Sequence, residues 1–453
     1  MGMTLEEEVV LLRAANAALR VESAALRERI SELEQQIAEV EERGRRPPSF
    51  VKPNRSKSGQ AKKPRRKREA QHNKGRKREE PTKVRLHQLE HCPDCSSRLY
   101  RRKVAWRRQV IELPAPQAAE VTEHVVVKRW CAKCGGWRGP HLDWQGLVVG
   151  QGRLGVRLVS VIAYLRTTLR LPLRQIQGYL ETLHGVRVSV GELVEVLHRV
   201  RKEGQGLLQS LSAQMRNSAL LHMDETGWRE DGQNGYIWVC STGGTEPVRY
   251  YEYDRSRSQA VVQRLLGAQF RGVLSTDFYA GYNRYLGRHQ RCWVHLLRDL
   301  HKLKEEHAQQ AEVLEWADKV RQLYEDGARF VKTAPIPGQI EREQQYLSLL
   351  QRLQPLGLDH ASQKKHPCQV LAKRLLRHQD ELFQFVLIHG LPADNNLAER
   401  SLRPLVVSRK ISGGTRSSEG SKTRMGLASL FETWQARGLN PFRQCLALLA
   451  QSP

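Results

Sequence analysis

Apolar positions at the start of the chain follow a seven-residue repeat. Leu5, Leu12, Leu19, Leu26, Leu33 and Val40 stand seven apart, and Val9, Asn16, Ser23, Ile30 and Ile37 follow the first five by four. With no Pro or Gly inside it, this seam predicts a left-handed coiled coil over 4–43. Asn16, a polar residue at an a position, is a device that fixes register in a parallel homodimer. The alternative is a long helix packed on its own chain. Over 44–86 the pattern ends, with prolines at 47, 48, 53, 64 and 81 and almost no large apolar residue. Such a segment cannot bury enough surface to offset ordering entropy, so it is expected to be a disordered linker.

Further along, β-type patterns return at 104–111 and 121–127, inside a region bounded at 87–145. Residues 150–205 then read as three helices: 154–168, a second built on Leu173, Ile176, Leu180 and Leu183, and a third on Val190, Leu193, Val194 and Leu197. The turn His184-Gly185-Val186 between the last two suits a helix-turn-helix, or a small helical domain leaning on its neighbour. Strand patterns occupy 219–226, 235–240, 248–253 and 271–276, with turns expected at Thr226-Gly227-Trp228 and in the Gly-rich stretch after 240. Helical spacing resumes at Leu296, Leu300 and Leu303, then over 340–353 and 370–387. The expected fold class is therefore multidomain α/β. Its core is divided into 215–298 and 389–453 by a helical insertion over 299–388.

At 453 residues the chain has room for about three domains of ~100–200 residues each. Its net charge of +26 points to a polyanionic partner, double-stranded DNA first. Residues 43–85 hold 18 Lys/Arg against three acids, most of that excess. Lys62, Lys63, Arg65, Arg66, Lys67 and Arg68 are the densest candidates for phosphate contact. No apolar run approaches the ~18 residues of a membrane span, and three glutamates in the first ten residues do not resemble a secretory signal. No membrane partner is expected, and the reading is cytoplasmic.

Cysteine spacing adds a metal. His91-Cys92-Pro93-Asp94-Cys95 and Cys131-Ala132-Lys133-Cys134-Gly135-Gly136 are two Cys-x-x-Cys knuckles. Cys92, Cys95, Cys131 and Cys134 would bind one structural Zn²⁺ tetrahedrally. Cys240, Cys292, Cys368 and Cys445 lack such spacing and read as buried small residues.

Acids placed within apolar strands need a reason. Asp224 and Asp277 each sit in or at the end of a strand pattern, where an unpaired carboxylate is costly to desolvate. Each could simply cap a turn. Glu399 lies one turn into an Asx-started helix that Pro404 is expected to limit, and alone it could pair with Arg403 at i,i+4. Together the three suit two hard cations about 3.5–4 Å apart, the arrangement for phosphodiester chemistry. All-carboxylate ligation favours Mg²⁺, with Mn²⁺ tolerated.

Four segments carry a resemblance: His222-Met223-Asp224-Glu225-Thr226, Thr276-Asp277-Phe278-Tyr279-Ala280-Gly281-Tyr282, Cys292-Trp293-Val294-His295 and Asp394-Asn395-Asn396-Leu397-Ala398-Glu399-Arg400. With zipper, basic linker and double knuckle in the same order, the chain resembles a DDE transposase of the insertion-sequence sixty-six family. The resemblance implies an RNase-H-like catalytic domain and Asp224, Asp277 and Glu399 as its metal-binding triad. It also implies cleavage at the ends of a bacterial insertion sequence, strand transfer into target DNA, and small accessory proteins from the same element.

Other motifs are weaker. The stretch from Gly413 to Thr423 fails the phosphate-loop spacing, since five residues separate Gly414 from Gly420 and Ser421 precedes Lys422. Arg403, Arg409, Lys410, Arg416, Lys422 and Arg424 instead read as phosphate contacts beside Glu399. His295 reads as a helix-borne core histidine, with metal ligation or phosphate orientation as alternatives. The rival functions are a DNA-binding regulator derived from a transposase and a simple nuclease that cuts without joining.

Overall fold

The computed structural model describes residues 79–451 together with Leu26 and Ile30. Those two heptad residues are helical and exposed. The rest of the expected coiled coil, and the linker up to residue 78 with Lys62, Lys63, Arg65, Arg66, Lys67 and Arg68, lie outside the described residues; residues 79–86 are irregular and exposed. Contacts divide the chain into Met1–Glu112 and Leu113–Pro453.

In the first unit the Cys92 knuckle is a closed turn. Ser96 N donates to Cys92 O and Cys92 N to Ser97 O, both at 2.8 Å, with an isolated bridge between His91 and Arg98. The strand expected at 104–111 does not form, and Val104, Val110 and Ile111 are exposed. A β-prone sequence becomes a strand only where a ladder partner exists, and none meets it among the described residues.

The second unit corrects the other ribbon strand in the same way. Residues 121–127 are irregular, and pairing is confined to β1 (Arg129–Cys131) and β2 (Gly136–Arg138) around the second knuckle. Trp130 and Trp137 face each other across this hairpin with rings 5.8 Å apart, edge to face.

Three helices follow as the periodicity indicates: α1 (Val156–Thr167), α2 (Leu173–His184) and α3 (Val190–Glu203). Gly185 ends α2 at φ +65, a left-handed cap that suits glycine, and the Ser189 side chain caps α3 through Glu192 N. Helix α4 (Gln205–Arg216) leads into the sheet. Helices α1 and α3 pack against the C-terminal helices α13 (Ser418–Ala436) and α14 (Pro441–Ala450), so this segment leans on its neighbour.

The five-stranded sheet has the order β5-β4-β3-β6-β7. Its strands are β3 (Leu220–Glu230), β4 (Gln233–Ser241), β5 (Arg249–Asp254), β6 (Val273–Thr276) and β7 (His289–Arg291). β3, β4 and β5 are antiparallel neighbours, while β6 runs parallel to β3 and β7 to β6. Helix α5 (Gln259–Leu266) connects β5 to β6. The turn expected at Thr226-Gly227-Trp228 is absent because β3 continues through it. The reversal falls at Asp231-Gly232, whose φ of +50 and +73 suit a two-residue hairpin.

Strand alternation divides the core. On β4, Trp238 and Cys240 join the cluster containing α1, α3, α5, α13 and α14, whereas Ile237 and Val239 face α12 (Asn396–Ser412). Helix α12 runs through Pro404, contrary to expectation. An interior proline costs ~3 kcal/mol, which is offset by buried Ala398, Leu402 and Leu405 against the sheet, the leucines at ~1.5–3 kcal/mol each.

Between β7 and α12 lie α6 (Trp293–Glu306), α7 (Ala311–Phe330), α8 (Gln339–Ala361), α9 (Gln369–Arg377) and the short α10 (Gln379–Leu382) and α11 (Gln384–Leu387). They share a core around Trp293, Leu296, Trp316, Leu349 and Phe383. Among the described residues no helix is long and apolar enough to cross a membrane.

Candidate active site

Register brings the first two acids together. β3 and β6 pair in parallel with His222 opposite Ser275. Asp224, within β3, and Asp277, just past the end of β6, each lie two residues beyond that pair and so on the same face. Each engages one oxygen locally: Asp224 Oδ1 accepts from Glu225 N at 2.8 Å, and Asp277 Oδ1 from Tyr279 N at 2.9 Å. Oδ1 of Asp277 thus caps the turn that follows β6, whereas Asp224 lies inside β3 and caps no turn; Oδ2 of each is left to account for.

Glu399 arrives from α12, whose start is fastened to β3. Asp394 Oδ1 accepts from Asn396 N at 3.0 Å, the Asx start legible in the sequence. Asn395 is fully buried: its Nδ2 donates to Met223 O at 2.7 Å and its Oδ1 lies 3.1 Å from His222 Nδ1. One side chain therefore ties the helix to the backbone beside Asp224. Asn395 N also donates to Cys292 Sγ at 3.2 Å, and Trp293 N to Ala393 O at 2.9 Å, which locks the start of α6 to the same segment.

From α6, His295 Nε2 comes within 3.6 Å of Glu399 Oε1. Among the ion pairs of the described residues, Glu399 pairs with His295 and not with Arg403. Cys292, His295 and Glu399 present ligand atoms within 4.8 Å of one another. Glu399 Oε1 and His295 Nδ1 are buried without a hydrogen-bond partner.

Charge is concentrated and poorly compensated here. Burial, with Glu225, Asp277 and Glu399 close by, pushes the Asp224 carboxyl up to about 8. Burial also raises Glu225, against hydrogen bonds from Tyr282 and Arg257. The Glu225 side chain is almost completely covered; Arg257 reaches it at 2.5 Å while stacking 3.9 Å over the Tyr279 ring. On the far side of Asp277, buried Arg291 donates to Asp277 O at 2.9 Å and to Glu381 Oε2 at 2.6 Å. A half-buried cluster of acids, with Glu399 Oε1 left without a hydrogen-bond partner, is a poor resting arrangement for protein alone and a suitable one for divalent cations.

The basic candidates separate. Arg403, Lys410, Arg416 and Lys422 are exposed, and Arg403 and Lys410 share the Glu399 stripe at i+4 and i+11. Arg409 bonds Gly227 O and, at 3.4 Å, Thr226 Oγ1, so it fastens α12 to β3. Arg424 is corrected outright: it is buried and donates to Arg166 O at 2.9 Å and Ser408 Oγ at 2.7 Å. The rejected phosphate loop is a clamp. Thr415 N donates to Arg229 O, and a Cβ on Gly414 would meet that same oxygen at 2.0 Å.

One cysteine of each knuckle, Cys95 and Cys131, is shifted toward its thiolate. Hydrogen bonds from the Ser97 side chain and backbone lower the Cys95 thiol, and that of Cys134 N–H lowers Cys131. Cys240, Cys292, Cys368 and Cys445 are buried, as their spacing suggests.

Sequence reasoning missed Asn395, Arg291, Glu225 and the role of His295. Asn395 and Glu225 lay inside the motifs quoted above, but their partners are distant in sequence.

The family described as Transposase IS66 family matches residues 151–423, and the zinc-finger binding domain of transposase IS66 matches residues 90–135, a span containing all four knuckle cysteines. Similar curated proteins come from Sinorhizobium fredii (strain NBRC 101917 / NGR234). Uncharacterized protein y4qI is 26% identical over 327 residues, 65% of this chain and 59% of that protein. Uncharacterized protein y4jO is 30% identical over 168 residues, 37% and 49% respectively. Uncharacterized protein y4jD is 30% identical over 226 residues, 44% and 41%. The chain thus spans 41% to 59% of the length of these relatives.

Proposed function

Because the chain belongs to the transposase IS66 family, we propose that it cuts DNA at the ends of a bacterial insertion sequence and joins those ends to target DNA. The observation that carries this reading is that Asp277, just past β6, and Glu399, on α12, lie close enough for their charges to raise the Asp224 carboxyl on β3. The sheet order, with three antiparallel strands followed by two parallel ones, supports an RNase-H-like core.

Asp224, Asp277 and Glu399 would hold two Mg²⁺, or Mn²⁺. Bound there, the ions supply activation of the attacking oxygen and stabilisation of the leaving one. The protein's own residues hold this constellation. Asn395 sets the helix carrying Glu399, His295 orients its carboxylate, and Arg291 fixes the backbone at Asp277. Exposed Arg403, Lys410, Arg416 and Lys422 would bind phosphates along the approach. Water breaks the P–O3′ bond at each element end, and the freed 3′-hydroxyl then displaces a 3′-oxygen in the target strand.

A structural Zn²⁺ on Cys92, Cys95, Cys131 and Cys134 would shape a DNA-reading module. A homodimer through the 4–43 zipper would bring two element ends together, with accessory proteins from the same element and a cytoplasmic location. The test is a Mg²⁺-dependent cleavage and strand-transfer assay on element-end DNA, comparing native protein with Asp277→Ala. Joined products only from the native chain support the proposal. Cleavage without joining would leave a simple nuclease, and equal DNA binding without cleavage would leave a regulator.

A further inference from the structure

A second group of ligand-type side chains lies in the helical region, apart from both the carboxylate site and the knuckles. His360 is in the last turn of α8, His366 is on the following loop, and Cys368 caps α9. Their ligand atoms all lie within 4.8 Å of one another. His360 and Cys368 are buried and His366 is half-buried. Glu312, in the first turn of α7, brings Oε1 to 3.8 Å from His366 Nε2 and 4.0 Å from His360 Nδ1.

The imidazoles of His360 and His366 are stacked with centroids 4.1 Å apart and planes 5° from parallel, and Trp316 meets the His360 ring edge to face at 5.7 Å. His360 Nδ1 has a long contact to Gln363 Oε1 at 3.4 Å, and His366 Nδ1 accepts from Cys368 N at 3.2 Å. The loop between the ligands holds Lys365 at φ +68, an unusual conformation for a non-glycine residue.

We propose that His360, His366 and Cys368, with Glu312 closing the fourth position, bind one Zn²⁺ as a structural staple of the helical region. Thiolate with imidazole selects a borderline-soft transition ion over Mg²⁺. Zn–N bonds of ~2.0–2.1 Å and Zn–S bonds of ~2.3 Å put tetrahedral ligand atoms roughly 3.5 Å apart. Closing from 4.8 Å or less requires side-chain rotation, including exchange of the long His366 bond for a metal bond. The ion would join the start of α7, the end of α8 and the start of α9. It would also fix the loop that presents exposed Lys364 and Lys365.

Zinc is measured by mass spectrometry on the purified full chain after removal of loosely bound metal. The native protein should hold one equivalent more than His366→Gln, a substitution at the least buried of the three ligands. A chain with serine at 92, 95, 131 and 134 should still hold one equivalent. Loaded with Co²⁺, that chain should show thiolate charge-transfer absorption that disappears on adding Cys368→Ser. Equal zinc in native and His366→Gln proteins of unchanged helical content, with no cobalt–thiolate absorption in the four-serine chain, overturns the site. Strand-transfer activity is not part of the readout, so the outcome does not depend on the transposase proposal.

Discussion

His295 Nε2 stands 3.6 Å from Glu399 Oε1, and each side chain has a buried polar atom without a hydrogen-bond partner. The two residues come from helices α6 and α12, which are locked together through Asn395 N to Cys292 Sγ and Trp293 N to Ala393 O. The imidazole is therefore placed to orient the one acid that does not come from the sheet.

His295→Ala should weaken Mn²⁺ binding and slow strand transfer by roughly 10–100-fold, the usual effect of removing a residue that orients a metal ligand. His295→Asn should recover part of the loss. Metal titrations and single-turnover assays across pH test this. An unchanged Mn²⁺ affinity and pH profile in His295→Ala would remove His295 from the site.

Asp224 supplies a prediction with a definite sign. Its carboxyl is pushed from an ordinary value near 3.8 up to about 8, so the metal-free folded chain retains a proton that the unfolded chain has lost. Such a group subtracts stability as pH rises from about 4 through about 8. Asp224→Asn should therefore raise the melting temperature in chelator, with a larger gain at alkaline than at acidic pH. Strand transfer should fall by about 10²–10⁴-fold, as expected when several kcal/mol of charge stabilisation are lost. A variant that melts below the native chain at alkaline pH contradicts the assignment.

These expectations rest on features of unequal legibility. An acid in an apolar strand is visible locally, so Asp224 and Asp277 could be found from sequence pattern. The helical periods of α1, α2 and α3 are equally local. β7 gave no signal, because its three residues His289, Gln290 and Arg291 are polar yet buried. Arg424 was misread because charge usually means exposure, and only the fold reveals that its guanidinium is paired with Arg166 O and Ser408 Oγ. The opposite error occurred at 104–111 and 121–127, where β-prone composition was not met by a partner strand.

Glu381 should govern acid stability around Asp277. Burial opposes its charge, but the His378 hydrogen bond, with His289 and Arg291 nearby, brings its carboxyl down to about 2. A depressed acid contributes stability that is present above its unfolded value near 4.5 and is lost as pH falls through about 2. Glu381→Gln should cost about 2 kcal/mol at neutral pH, since Arg291 stays buried with its charge less compensated. The difference from the native protein should shrink as pH falls from about 4.5 toward 2. Denaturant melts at several pH values check this; a constant difference would contradict the depressed carboxyl.

Asn395 tests whether one buried amide positions the third acid. Its side chain, at the N-cap of α12, meets Met223 O and His222 Nδ1 beside Asp224. Asn395→Ala would leave Met223 O without that donor and should cost about 1–3 kcal/mol. Asn395→Asp retains the shape but replaces the donor with a charge in a fully buried setting, so it should be worse at neutral pH. In both variants Glu399 keeps its chemistry and loses its placement. Strand transfer should consequently fall by at least tenfold while binding of element-end DNA changes little, because the exposed Arg403, Lys410, Arg416 and Lys422 are untouched. Equal losses of binding and joining would show instead that Asn395 supports the fold as a whole. A stable Asn395→Ala chain with native joining rates would show that α12 is held over Asp224 by its apolar face alone.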